Sequence, residues 1–116
     1  MNDEKNLLRN ETIEFAVFVS DLCEEIVGCG VYVNQLLRSS SSIGANVHEA
    51  KYAQSRADFI SKLEIALKEC YETEYWLELL GRKKKISGEN YKKLKNRSGA
   101  IRRKLISSIT TAKNNQ

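Results

Sequence analysis

None of the 116 residues is proline, so nothing in the chain forces a break in an i to i−4 hydrogen-bond ladder. The abundance of Leu, Ile, Ala, Glu and Lys, all good helix formers, makes helix the expectation throughout. Apolar spacing then divides the chain. Phe59, Leu63, Ala66, Cys70, Thr73, Leu77 and Leu80 alternate steps of four and three, the clearest amphipathic stripe present. Thr12, Phe15, Val19, Leu22 and Ile26 form another, with Glu11, Glu14, Asp21, Glu24 and Glu25 between them. Val33, Leu36, Leu37, Ser40, Ile43, Gly44, Val47 and Ala50 make a third, weakened only by the serines at 39–42. The fourth is Tyr91, Leu94, Ser98, Ile101, Leu105, Ser108 and Ala112 with Ile109 beside it, weakest at Ser98-Gly99.

The stripes are separated by stop and start signals. Gly28-Cys29-Gly30 favours a left-handed cap or turn over continued helix. The polar stretch 53–58 offers Ser55 as an N-cap with Asp58 in the first turn that follows. Gly81 and the lysines after it mark an end, and Ser87 to Asn90 supply a turn and a cap. The expectation is a single domain, 1–116, with helices over 6–27, 33–52, 56–80 and 88–113 and frayed ends at 1–6 and 114–116. Connections this short make sequential helices neighbours, so the predicted fold is all-α, an up-down-up-down antiparallel four-helix bundle.

Charge is the strongest feature after periodicity. Residues 1–80 hold seven Lys/Arg and fourteen Asp/Glu, a balance of −7, whereas residues 81–116 hold twelve Lys/Arg and one acid, a balance of +11. The net +4 conceals this asymmetry. Arg82, Lys83, Lys84, Lys85, Lys92, Lys93, Lys95, Arg97, Arg102, Arg103 and Lys104 are expected to form a basic edge on the last helix and the turn before it. Such an edge could neutralise RNA or DNA phosphates, with affinity supplied by counterion release rather than base readout. It could equally dock on the acidic helices of a neighbouring subunit, or serve solubility alone.

Little else in the chain carries chemistry. Cys23, Cys29 and Cys70 are an odd number without a C-x-x-C pair, so reduced thiols are expected, with Cys23 and Cys70 as small apolar fillers. His48 is the single histidine, too few for a carboxylate-bridged di-iron site. The serine run lacks the G-x-x-x-x-G-K-[S/T] pattern of a phosphate loop; small residues at this spacing let two helices approach closely. Ser42, Asn46 and Glu49 share one helical face and read as a polar hydrogen-bonding seam. Tyr52, Tyr71, Tyr75 and Trp76 give the bundle an aromatic side; set among Glu69, Glu72, Glu74 and Glu78, it is expected to pack at a subunit interface. No nucleophile-and-base pair, metal cluster or cofactor motif appears, so the chain is expected not to be an enzyme and to hold no cofactor. No window approaches the ~20 apolar residues of a membrane span, and the polar start Met1-Asn2-Asp3-Glu4 is unlike a leader, so a cytoplasmic protein is expected.

The central segment also resembles a known family. Gln35-Leu36-Leu37-Arg38, then Ser42 to Ala50, then Phe59-Ile60-x-x-Leu63-Glu64-Ile65-Ala66 with Glu69, is similar to bacterial four-helix-bundle proteins. These include proteins encoded in intervening sequences of the large-subunit ribosomal RNA gene and the accessory variability protein of diversity-generating retroelements. A small apolar residue is usual in that family where His48 stands, and glycine is common at Ala50. The resemblance implies an up-down-up-down bundle, assembly into a pentameric ring, no enzymatic activity, and for the retroelement branch an association with nucleic acid and a reverse transcriptase. It marks Arg38, Ser42, Asn46 and Glu49 as structural or interface residues.

Overall fold

The computed structural model describes residues 2–115, with side chains from residue 7 onward; of the ends expected to fray at 1–6 and 114–116, residues 1 and 116 lie outside the described residues, while residues 2–6 and 114 are helical, so that α1 begins four residues before the expected position 6. Four helices follow one another, α1 (Asn2–Glu25), α2 (Gly30–Ala50), α3 (Arg56–Arg82) and α4 (Gly88–Asn114), with no strand among the described residues. Each packs on its sequence neighbours, and α1 closes the ring against α4, while the diagonal pairs do not meet. The molecule measures 46 × 23 × 18 Å. Helices of 27 residues are ~40 Å long, so they run its full length. This is the predicted four-helix bundle.

The stripes fill the core as their spacing requires. Phe15 and Val19 of α1, Leu36 and Ile43 of α2, Leu77 and Leu80 of α3, and Leu94, Ile101 and Leu105 of α4 are all buried to 1% exposure or less. In two places the neighbour of a predicted core residue takes the deeper position. Ile60 is buried where Phe59 is only partly so, and Ile109 is buried beside a half-buried Ser108.

The serine run marks a close approach, not a break. Ser39 and Ser40 are buried, and their hydroxyls donate to the carbonyls of Leu36 and Leu37 in the preceding turn. Thr73 Oγ1 lies 2.9 Å from Ser39 Oγ and donates to the Glu69 carbonyl at 2.7 Å, joining α2 to α3 through hydroxyls small enough to fit. On the other side of α2, a Cβ added at Gly44 would fall 2.9 Å from Thr12 Oγ1 and 3.2 Å from its Cβ. Even a methyl group would press on Thr12 there, so α1 rests on α2 at that point. Every buried side-chain polar atom described has a partner.

The helix ends differ from the sequence-based expectation where glycine was taken as punctuation. Gly30 does not lie outside α2 but begins it, three residues early, because Cys29 adopts the left-handed conformation (φ 58°, ψ 32°) and its carbonyl accepts from Tyr32 and Val33. α1 stops two residues before position 27, and α2 two before 52. At the end of α3, Gly81 is helical; Tyr91 of α4 presses on it, 3.1 Å from where a Cβ would stand. The chain reverses instead at Lys84, with φ 60°. Lys85 N–H donates to Leu80 and Lys84 N–H to Gly81, the paired bonds of a Schellman cap with lysine where glycine is usual. The N-caps are as expected: Ser55 and Ser87 accept from the backbone N–H of Asp58 and Asn90, both at 3.1 Å.

A left-handed conformation costs a residue with a Cβ about 1 kcal/mol relative to glycine. Lys84→Gly should therefore stabilise the fold by about that amount, raising the melting midpoint by ~4 °C in a thermal scan.

Burial holds the Cys23 and Cys70 thiols protonated. Desolvation pushes Cys23 up to about 11 and Cys70 to about 12. All three cysteines are free, and Cys29 is half-buried.

Candidate nucleic-acid interface

The register of α4 against its neighbours decides what each cation can do. α4 leaves the turn at residues 83–87 and runs back between α3 and α1. Its cations occupy both flanks and the outer face between them, so the basic edge is broader than one line. On the α1 flank, Arg97 and Lys93 stand 5.1 and 5.7 Å from the Phe18 ring, and Lys104 pairs with Glu11. On the α3 flank, Arg102 Nε donates to Glu74 at 3.0 Å, and Lys95 lies 5.8 Å from the Tyr91 ring. Lys92 and Arg103 are exposed with no ion pair to a described residue.

The turn contributes the rest. Arg82 pairs with Glu78 at 2.7 Å, one helical turn back. Lys85 Nζ reaches across the bundle end and donates to the Val27 carbonyl at 2.9 Å, tying the α3–α4 turn to the end of α1. Lys83 and Lys84 are exposed and make no ion pair with a described residue. A shallow hollow opens beside them, lined by Arg82, Lys84, Tyr91 and Lys95. Of the eleven predicted cations, Arg82, Arg102 and Lys104 are thus engaged by carboxylates and Lys85 by a carbonyl. The other seven, Lys83, Lys84, Lys92, Lys93, Lys95, Arg97 and Arg103, keep their charge uncompensated by any described carboxylate.

The acidic residues divide the same way. Glu11, Glu49, Glu64, Glu69, Glu72, Glu74 and Glu78 all have cationic partners. Glu14, Asp21, Glu24 and Glu25 of α1 have none among the described residues, although Glu24 and Glu25 end the helix where its dipole disfavours negative charge and no basic residue follows. They rim a shallow groove floored by Ile13, Val17, Phe18 and Leu22. Ile13 and Val17 are 43% and 53% exposed.

The four motif residues lie on α2 and face α3 or their own helix. Arg38 spans to α3, donating to Glu69 at 3.0 Å and to Glu72, and its Nε donates to Gln35 at 3.2 Å. Trp76 Nε1 donates to Glu72 at 2.9 Å, and its ring stacks on Tyr32 at 6.0 Å. That indole bond, reinforced by Arg38, holds the Glu72 carboxyl below its ordinary range. Asn46 donates to the Ser42 carbonyl at 2.8 Å, and Glu49 accepts from Lys62 at 3.0 Å. The predicted seam is therefore local, with only Glu49 reaching another helix. His48 Nδ1 accepts from Arg9 of α1 at 3.2 Å, and the ring meets Tyr52 edge-on. No group of described residues has the makeup of a metal site, and no helix is long and apolar enough to cross a membrane.

Two features of the site escaped the sequence reading. Tyr91, taken as a core residue, is half-exposed and lines the hollow with Lys95. Tyr71 lies beneath Arg102 at 5.9 Å, a contact that depends on the α3–α4 register and has no local signal.

Residues 4–107 match the 23S rRNA-intervening sequence protein family. Among solved structures, the chain is similar to a crystal structure of a protein of unknown function from the S23 ribosomal protein family of Bacteroides thetaiotaomicron. The two are 49% identical and superpose with a TM-score of 0.87 over 92% of this chain and 98% of the other. No curated protein matches.

Proposed function

Since this chain belongs to the 23S rRNA-intervening sequence protein family, we propose that it is a non-enzymatic, self-associating bundle that binds RNA or DNA through the basic α3–α4 turn and the exposed surface of α4. One observation carries the reading: seven cations clustered on that surface make no ion pair and no side-chain hydrogen bond to a described residue, while seven glutamates are each already paired with another cation. Cations left unpaired are available to phosphates at no cost in broken ion pairs. Binding is by charge, so it tolerates sequence. A nucleic-acid enzyme such as a reverse transcriptase is the kind of partner such an accessory protein serves, and the pentameric ring implied by the family resemblance is the assembly proposed for it.

The test is a titration of labelled RNA and DNA at two salt concentrations. If about six of the seven cations meet phosphates, affinity should fall ~1000-fold between 50 and 200 mM salt. Absence of binding even at the lower salt would remove the proposal.

A second reading has its own observation. The unpaired Glu14, Asp21, Glu24 and Glu25 beside exposed Ile13 and Val17 are suited to receive a basic surface. In that reading the cations of α4 dock on α1 of another subunit, and the protein is an assembly scaffold with no nucleic-acid role.

A further inference from the structure

The seam between α3 and α4 combines cations with exposed aromatic rings. Tyr71 and Tyr75, one turn apart on α3, are 52% and 61% exposed. Tyr71 carries the Arg102 guanidinium over its ring at 5.9 Å; Tyr75 is braced edge-on by Trp76 at 4.9 Å. Across the seam, Gly99 of α4 is buried beneath two arginine side chains. A Cβ there would stand 3.4 Å from Arg103 Nη1 and 3.5 Å from Arg102 Nη2, so both guanidinium groups lie against it. Toward the bundle end, the line continues into the hollow of Arg82, Lys84, Tyr91 and Lys95.

In sequence these tyrosines stand among Glu69, Glu72, Glu74 and Glu78, whose charge would repel phosphate. The structure removes most of that objection. Glu74 accepts from both Ser98, at 2.9 Å, and Arg102, at 3.0 Å, and Glu78 is paired with Arg82. Glu69 and Glu72 are bound by Arg38 of α2. Glu74 and Glu78 are thus each paired with an arginine, and Lys95 on the α3 flank, with the exposed Lys92 and Arg103 of α4, adds positive charge that no described carboxylate pairs.

We infer that the α3–α4 seam is a platform for single-stranded nucleic acid, with Tyr71 and Tyr75 stacking on unpaired bases and Lys92, Lys95 and Arg103 holding the phosphates beside them. The inference rests on the nucleic-acid reading above and narrows it to unpaired strands. Exposed rings set beside cations fit single strands, because every base offers a π-face, whereas a duplex buries those faces. The seam is long enough. Gly81 lies opposite Tyr91, and Tyr71 opposite Arg102. Ten residues of α3 rise ~15 Å, room for more than one unpaired nucleotide.

The experiment measures binding of a fluorescent single-stranded RNA of about 12 nucleotides, and of the same strand in a duplex, to the full chain and its variants. The wild type should favour the single strand. Tyr71→Leu with Tyr75→Leu should weaken single-strand binding by about 5- to 100-fold and leave duplex binding unchanged. Tyr71→Phe with Tyr75→Phe should restore it, which a loss of folding or of hydroxyl contacts would not allow. Equal binding of both probes, or phenylalanine variants as weak as the leucine ones, would overturn the platform and leave charge-based binding standing. If neither probe binds at low salt, both readings fall together.

Discussion

Reversing Lys92, Lys93 and Lys95 to glutamate should weaken RNA binding by about 100-fold or more while leaving the fold intact. A cation about 4 Å from a phosphate contributes ~1 kcal/mol in water, so three removed contacts account for about two orders of magnitude before any new repulsion is counted. The salt dependence should flatten as well. Each lost phosphate contact takes ~0.7 from the slope of log affinity against log salt for a single strand, ~2 for the three. The fold is spared because all three lysines are exposed and none forms an ion pair with a described residue; Lys93 and Lys95 only overlie the rings of Phe18 and Tyr91. Surface changes of this kind usually alter stability by less than ~0.5 kcal/mol. The mass of the particle in solution decides between the two functional readings. An assembly that keeps its mass and loses RNA supports phosphate binding. One that falls apart supports docking of α4 on the unpaired acids of α1, and restoring it by reversing Glu14, Asp21 and Glu24 to lysine would confirm the pairing of those two surfaces.

How much of this was legible from sequence depends on the range of the interaction concerned. The four helices were legible because a helix buries one stripe, and its spacing is a local property: Phe15, Leu36, Leu77 and Leu105 all stand where the steps of three and four put them. The ends were less so. Gly28-Cys29-Gly30 was read as a left-handed turn, and Gly28 (φ 83°) and Cys29 make it; at the end of α3, however, it is Lys84 that turns left-handed, while Gly81 serves packing by admitting the Tyr91 ring. The turn at Lys84 had no glycine to mark it; it is closed by the Schellman bonds from Lys84 and Lys85 to Gly81 and Leu80. The composition of the basic surface was legible, and its allocation was not. Glu11 and Lys104 are separated by 93 positions and Glu64 and Lys113 by 49, so which cations are spent on ion pairs follows from helix register alone. The same holds for the tyrosines of α3. Their glutamate neighbours in sequence suggested an acidic environment, whereas in space Tyr71 carries the Arg102 guanidinium and Tyr75 packs edge-on against Trp76.

Gly44→Val should be the most damaging of the small-to-large changes in the bundle, lowering stability by ~3 kcal/mol. At an open helical position, adding a Cβ to glycine gains about 1 kcal/mol by reducing the entropy lost on folding. At Gly44 the first added carbon already meets Thr12, 2.9 Å from its Oγ1 and 3.2 Å from its Cβ. Thr12 cannot yield cheaply, because it is fully buried, its β-branch fixes χ1, and its hydroxyl donates to the Arg9 carbonyl at 2.6 Å. Overpacking of this kind costs ~1–3 kcal/mol, and valine's two further methyl groups bring the cost to the upper end. Gly44→Ala isolates the contact. Alone it should be neutral to mildly destabilising in a denaturant titration, the propensity gain offsetting part of the clash. Combined with Thr12→Ala, which removes the 2.9 Å contact with Oγ1 and leaves that with Cβ, it should recover ~1 kcal/mol relative to the sum of the two single changes. Additive changes would mean that α1 and α2 do not meet at Gly44 as described. The contact bears on function because α1, seated there on α2, carries Glu11 to Lys104 and Phe18 to Lys93 and Arg97. Displacing it should disturb the α1 flank of the basic surface and leave the α3–α4 seam, on the other side of α4, in place.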